Sequence, residues 1–178
     1  MLRHLGMEKA DFEIRFTDTE VNNEGKDDVE FYISTNPGEE LKPLRKVASG
    51  GEISRITLCL KSILSDVDKI PTVIFDEVDI GIGGRIAESV GDLLSEVSKN
   101  HQIICITHLP QIPAFADDHL LVKKEIKGNA TFTQVMKLDE KKRQSEIARM
   151  LGGKEITPKT MEHAGEMLQR RRKKITRS

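Results

Sequence analysis

The stretch IPTVIFDEVDIGIGG, residues 70–84, decides how the rest of the chain is read. Val73, Ile74 and Phe75 form an apolar run, Asp76 and Glu77 follow it directly, and the chain then breaks into the glycine-rich turn Gly81-Ile82-Gly83-Gly84. A strand buried on both faces is written as a continuous apolar run, and in parallel sheets ligands collect at the carboxyl ends of such strands. The two acids are therefore expected where chemistry is done. Neighbouring carboxylates repel each other, so the pair is costly unless a cation or a proton is shared between them. A bound Mg2+ is the simplest remedy.

Downstream, Ile86, Val90, Leu93, Leu94 and Val97 fall on one face of a helix that ends near Asn100. A second apolar run, Ile103-Ile104-Cys105-Ile106, then leads to Thr107-His108-Leu109-Pro110. Strand, helix and strand with continuous apolar strands predict a right-handed βαβ unit on a parallel sheet, which puts His108 at the same edge as Asp76 and Glu77. A histidine after a core strand is more often structural than catalytic. Its placement beside two acids tips the reading toward chemistry.

Upstream, Ile53, Ile56, Leu60, Ile63 and Leu64 follow helical spacing from a start near Ser49. Ser49-Gly50-Gly51-Glu52 reads locally as a capping box, with serine at the N-cap and glutamate three residues on. That reading leaves the glycines unexplained, since each forfeits up to about 1 kcal/mol of helix propensity against alanine. Bare backbone at a helix N-terminus, with exposed N–H groups and the positive dipole end, suits a phosphate. Both readings hold together.

Around this centre the chain predicts two hairpins. Phe12, Ile14 and Phe16 alternate with polar residues, a polar turn runs from Asn22 to Asp28, and Val29, Phe31 and Ile33 alternate again, giving an antiparallel pair with those six facing inward. A loop marked by Pro37-Gly38 and Pro43 precedes the first helix. His119–Lys124 and Thr131–Leu138, joined at Lys127-Gly128-Asn129, predict a second hairpin at the sheet edge. Asp139 caps a helix to Leu151, stopped by Gly152-Gly153, and a last helix runs from Pro158 to about Lys174. Its basic run, Arg170 to Lys174 with Arg177, is read as a solvated helix end, with a DNA-backbone contact as the minority reading.

With 178 residues, one domain is expected. Charged residues make up 32% of the chain but balance to a net charge of -1, so no global field announces nucleic acid or membrane. Cys59 and Cys105 both lie in apolar runs, which favours reduced core thiols over a disulfide or a metal site. No apolar stretch approaches a membrane span, and the cytoplasm is the default expectation. Met1–Lys9 reads as the frayed end of something longer.

Three motifs in order, a helix opening with SGGE, an apolar strand ending in DE and an apolar strand ending in histidine, resemble the C-terminal half of an ABC-type ATPase head. The stretches NPGEELKPLRKVASGGEISR, VIFDEVDIGIGG and CITHLPQIPAFAD are similar to the RecN family of SMC-like DNA-repair ATPases, a resemblance that covers Gly6 to Gly153. It implies an α/β fold, the C-terminal lobe of a P-loop ATPase head, with a mainly parallel sheet flanked by helices, an N-terminal antiparallel hairpin and a C-terminal edge hairpin. Residues 1–9 would be the residue of a coiled-coil arm, 10–153 the lobe, and 154–178 a C-terminal helix and basic tail.

The resemblance also implies roles. Asp76 would hold Mg2+, Glu77 would deprotonate the attacking water, and His108 would sense the γ-phosphate. Ser49, Gly50, Gly51 and Glu52 would form the signature that meets the ATP of a second head in a homodimer, and Asp79 would couple the two sites. Glutamate in place of the glutamine of transporter signatures suits the SMC-like branch. No GxxxxGK[ST] sequence occurs, so the phosphate-wrapping loop would lie in an N-terminal P-loop lobe elsewhere, and this chain alone would be inactive. The implied setting is DNA double-strand break repair on the bacterial nucleoid, in the cytoplasm, with DNA as a partner and no membrane. A transporter nucleotide-binding domain and a non-catalytic DNA or protein interaction module are the rival classes.

Overall fold

In the computed structural model, which describes residues 1–35, 38–46, 49–65, 67–128, 130–153 and 155–175, strands β1 (Asp11–Asn22) and β2 (Gly25–Ser34) pair antiparallel. Phe12 stands opposite Ile33, Ile14 opposite Phe31 and Phe16 opposite Val29, as the alternation predicts. The expected long turn shrinks to Asn23 and Glu24, held by the Asn22 side-chain oxygen accepting from the Glu24 N–H at 2.7 Å. The inward face is only partly inward. Ile33 is buried, but Phe16 is 68% exposed, because β1 and β2 run 12 and 10 residues while the short strand β3 (Lys42–Pro43) flanks only Tyr32 and Ile33. Pro37, on which part of the expected loop rests, lies outside the described residues, as do Val47, Ala48 and Asn129 of the quoted turns and motifs.

Helix α1 (Gly50–Leu64) starts where the sequence places it, with Ser49 as N-cap accepting from the Glu52 N–H at 3.4 Å. Its buried residues are Gly51, Arg55, Ile56, Leu58 and Cys59, whereas Ile63 and Leu64, expected inside, are exposed. A charged residue thus takes a core position that the apolar pattern assigns to none. Strand β4 (Thr72–Phe75), helix α2 (Gly84–Val97) and strand β5 (Gln102–Cys105) form the predicted βαβ unit, with Thr72 to Phe75 parallel to Gln102 to Cys105. The register is pinned at both ends: the Gln102 N–H donates to the Pro71 carbonyl at 2.8 Å and the Ile106 N–H to the Phe75 carbonyl at 2.9 Å. His101, buried, donates from Nδ1 to the Ile70 carbonyl at 2.7 Å.

Helix α2 buries Ala87, Val90, Leu94 and Val97, each of the larger three contributing about 1.5–3 kcal/mol. The expectation of strands buried on both faces is corrected: Phe75 is inside, but Ile74 is 63%, Ile104 45% and Ile106 56% exposed. One face of the two-stranded sheet carries aliphatic side chains that this chain's own unit does not cover. Met1–Lys9 does not fray. A 3-10 turn at Leu2–Leu5, closed by Gly6 at φ 82°, buries Leu5 and Met7 and packs on α1 and α2.

The chain divides into two compact units, residues 1–106 and 107–178. The second is held by its own core of Ala114, Ile147, Ala148, Ala164 and Met167, with Phe115, Leu151, Met161 and Leu168 around it. Strands β6 (Leu120–Lys127) and β7 (Ala130–Lys137) form the expected hairpin as a two-stranded sheet of their own. Helix α3 (Glu140–Gly152) is capped by Asp139, which accepts from the Lys142 N–H at 2.8 Å, and helix α4 (Pro158–Ile175) packs against it. The side chains of the basic run at residues 170–174, and residue 177, lie outside the described residues.

Candidate active site

Within the first unit, the N-terminal half of α1 grips the turn that follows β4. Asp76 leaves the strand exposed, and its Oδ1 accepts from the Glu77 N–H at 2.9 Å. Glu77 itself has φ 60°, a left-handed backbone that costs a non-glycine residue roughly 1–2 kcal/mol. Such a residue persists where its surroundings over-determine it. Here the Glu77 carbonyl accepts from the Ile80 N–H at 3.1 Å, the Ser54 hydroxyl donates to the Asp76 carbonyl at 2.8 Å, and Arg55 donates to the Val78 and Ile80 carbonyls at 3.3 and 2.9 Å.

The glycines find their reason in the same contact. A Cβ at Gly51 would stand 3.1 Å from the carbonyl oxygens of both Glu77 and Ile80, and a Cβ at Gly50 would overlap Oε2 of Glu77. Bare backbone is what lets the helix start and the turn approach this closely. The Glu77 carboxylate therefore rests against the positive end of α1, where an anion is favoured.

Asp79, in the same turn, is 2% exposed, and its charge is felt at Cys105 of β5. Burial, with Asp79 and then Asp76 adding to it, pushes the Cys105 thiol up to about 12. Burial likewise raises Cys59 to about 11; both are free thiols, Cys59 in the core as expected and Cys105 only partly buried. Ser49, Gly50, Gly51, Glu52, Asp76, Glu77 and Asp79 are thus gathered in one unit.

An exposed carboxylate at a strand exit suits Mg2+ that keeps waters and takes its remaining ligands from phosphate. Among the described residues, no group of three or more His, Cys, Asp or Glu side chains stands close enough together to hold a metal ion.

His108 opens the second unit, three residues past the end of β5, and its side chain is exposed. Thr107 Oγ1 accepts from the Leu109 N–H at 3.1 Å, and the Ile112 N–H returns to the Leu109 carbonyl at 3.3 Å. Pro113–Phe115 then form a 3-10 turn whose carbonyls are held by Arg143 of α3. The guanidinium donates to Pro113, Ala116, Ala114 at 3.5 Å and Asp117 at 3.4 Å.

Sequence reasoning missed Ser54, Arg55 and Arg143. For Arg55 a signal existed: at Glu52, Arg55, Ile56 and Cys59 the helical spacing puts a cation inside the apolar stripe.

The fold is similar to that of solved SMC head domains. The fold matches the Smc head domain with coiled coil and joint from Pyrococcus yayanosii at a TM-score of 0.58, with 21% identity over 82% of this chain and 26% of that one. It also matches a chain from a study of ATP-driven dimerization and DNA-stimulated activation of SMC ATPases at 0.51, with 20% identity over 86% of this chain and 88% of that one. No family model matches.

In sequence the chain is a relative of the DNA repair protein RecN. It is 49% identical to RecN of Halalkalibacterium halodurans over 172 residues and 43% identical to RecN of Bacillus subtilis over 183 residues, in both cases over 94% of this chain. It spans 30% and 32% of the length of those relatives.

Proposed function

We propose that the chain is the C-terminal lobe of a RecN-like ATPase head that acts in the repair of DNA double-strand breaks. The observation that carries the reading is the convergence of the SGGE helix start with Asp76 and Glu77 in one rigid contact, on a chain RecN-like along nearly its whole length. In this reading Mg2+ neutralises charge on the phosphate oxygens of ATP, and catalysis is otherwise positioning. Asp76 holds the metal, through water. Glu77 takes the proton of the attacking water, and His108 touches the γ-phosphate and reports its presence.

Ser49, Gly50, Gly51 and Glu52 meet the nucleotide of a second head, and Asp79 couples the two sites of the homodimer. The P-loop lobe of the same protein completes the nucleotide pocket and covers the exposed aliphatic face of Ile74, Ile104 and Ile106. Residues 1–9 continue into a coiled-coil arm, residues 10–153 form the lobe and residues 154–178 a helix with a basic tail. DNA is the partner of the assembled protein, on the nucleoid in the cytoplasm; among the described residues no helix is long and apolar enough to cross a membrane.

In the complete protein, Glu77→Gln is expected to slow turnover roughly 10²–10⁴-fold while ATP binding persists. Turnover near that of the unaltered protein would remove Glu77 as the base and the reading with it. Ser49→Arg is expected to abolish head engagement with nucleotide affinity intact. Equal loss of both would show that the signature serves its own head.

A further inference from the structure

The charge of Arg55 is out of keeping with its place. The residue is 5% exposed, its Nε is buried with no partner among the described residues, and burial lowers its affinity for a proton. Glu52, one turn back, opposes that loss. Burying a guanidinium costs more than burying an aliphatic chain of the same volume, so a residue kept for packing alone would be leucine or methionine. What the charge does is hold two carbonyls, and both belong to the turn after β4.

We propose that Arg55 is a positioning residue for the ATP hydrolysis proposed above, fixing the turn that carries Glu77 and Asp79 to the helix that begins with Ser49. The proposal rests on that ATPase reading. The Val78 and Ile80 carbonyls that Arg55 binds flank Asp79, and the Ser54 hydroxyl holds the carbonyl of Asp76 on the other side of Glu77. Three bonds from two consecutive residues of α1 therefore bracket both acids of the turn. The left-handed backbone of Glu77 has no glycine to ease it, and these bonds are what keeps it there.

Since α1 also begins with Ser49, Gly50 and Gly51, any displacement of the helix start on meeting a second head's nucleotide moves the base in its own head. The signature and the base are one mechanical piece. Misplacing a catalytic group by about 1 Å costs on the order of 100-fold in rate, so the grip has leverage.

The test uses Arg55→Lys and Ser54→Ala, with Glu77→Gln alongside. An ammonium keeps the charge but not the fork that reaches two carbonyls. In the complete protein, Arg55→Lys is expected to lower kcat about 10- to 100-fold with ATP affinity unchanged, and Ser54→Ala to lower it several-fold in the same direction. In this chain, hydrogen exchange of the Ile80 and Ile82 amides is expected to quicken at least about tenfold in Arg55→Lys while the Ile106 amide, bonded across the sheet, keeps its protection.

Unchanged kcat and unchanged turn exchange in Arg55→Lys overturn the proposal. So does exchange that quickens equally everywhere, which marks a core residue only. Should Arg55→Lys not fold, Ser54→Ala decides: full kcat with a quiet turn overturns the proposal, and a lowered kcat with a loosened turn upholds it. If Glu77→Gln retains turnover, the ATPase reading has failed first. If Glu77→Gln is inactive and the other two variants are not, the positioning role alone has failed.

Discussion

Helix α1 in the first unit and helix α3 in the second each commit an arginine to the carbonyls of a segment that follows a strand or its exit, and the two arginines are spent differently. Arg55 is almost wholly enclosed and holds two carbonyls of a five-residue turn that has almost no regular structure of its own. Arg143 is half-buried and spreads over four carbonyls of a 3-10 turn and the two residues after it, a segment whose side chains Ala114 and Phe115 already pack in the core of their unit. Where the segment has side chains to bury, the arginine adds stability to a structure that packing already specifies. Where the segment carries two exposed acids and a left-handed glutamate and buries Val78 as its one apolar side chain, the arginine adds a hold on the backbone to either side of Asp79. A turn that must present carboxylates to solvent cannot be anchored through them, so it is anchored through its backbone.

That contrast predicts unequal stability costs. Arg143→Ala leaves up to four carbonyls short of a donor and is expected to destabilise the second unit by roughly 2–4 kcal/mol, read as a lowered melting transition of that unit. A loss no larger than that of an exposed surface substitution would mean that core packing alone holds the 3-10 turn, and the contrast would sharpen rather than vanish.

The helix start supplies the next largest effect. Gly51→Ala sets a Cβ against two backbone carbonyls that cannot move independently and is expected to cost about 1–3 kcal/mol. Gly50→Ala meets only the end of the flexible Glu77 side chain and should cost less in stability while displacing the carboxylate. Equal costs in denaturant titrations would break the claim that Gly51, not Gly50, is the point of close approach.

The smallest effect is a pH dependence in the second unit. Burial first, and Arg143 next, hold the His119 imidazole below its ordinary pKa of 6.5, with Glu146 opposing them. The unfolded chain then binds more protons than the folded one at pH values below about 6.5, so stability rises with pH through that window and is lost as the solution is acidified. His119→Gln is expected to flatten this dependence in melting temperature between pH 5 and pH 7. Removal of Arg143 should flatten it in part.

Legibility differed from element to element for physical reasons. Both hairpins, the helix starts at Ser49 and Asp139 and the parallel βαβ unit follow from periods and caps that act within a few residues, and each forms. The burial of β4 and β5 on both faces did not follow, because an apolar run records residue type and not which of its faces the chain's own helices reach. The division between Ile106 and Thr107 leaves no mark in composition, since it depends on which side chains find a common core. The glycines of residues 50 and 51 were legible as an anomaly, but their immediate partner, the turn after β4, was not.

What the sequence by itself determined is the order and type of the elements, and which residues end them: an SGGE helix start, two adjacent acids at a strand end and a histidine after the next apolar run. Those are local facts, written in spacing and residue type. Only the tertiary structure decided that Ser54 and Arg55 hold the turn, that Glu77 is left-handed and lies against Gly50, and that one face of the two-stranded sheet is exposed. Each depends on atoms more than 20 residues apart in the chain meeting within hydrogen-bond distance, and no period of 2 or 3.6 encodes such a meeting.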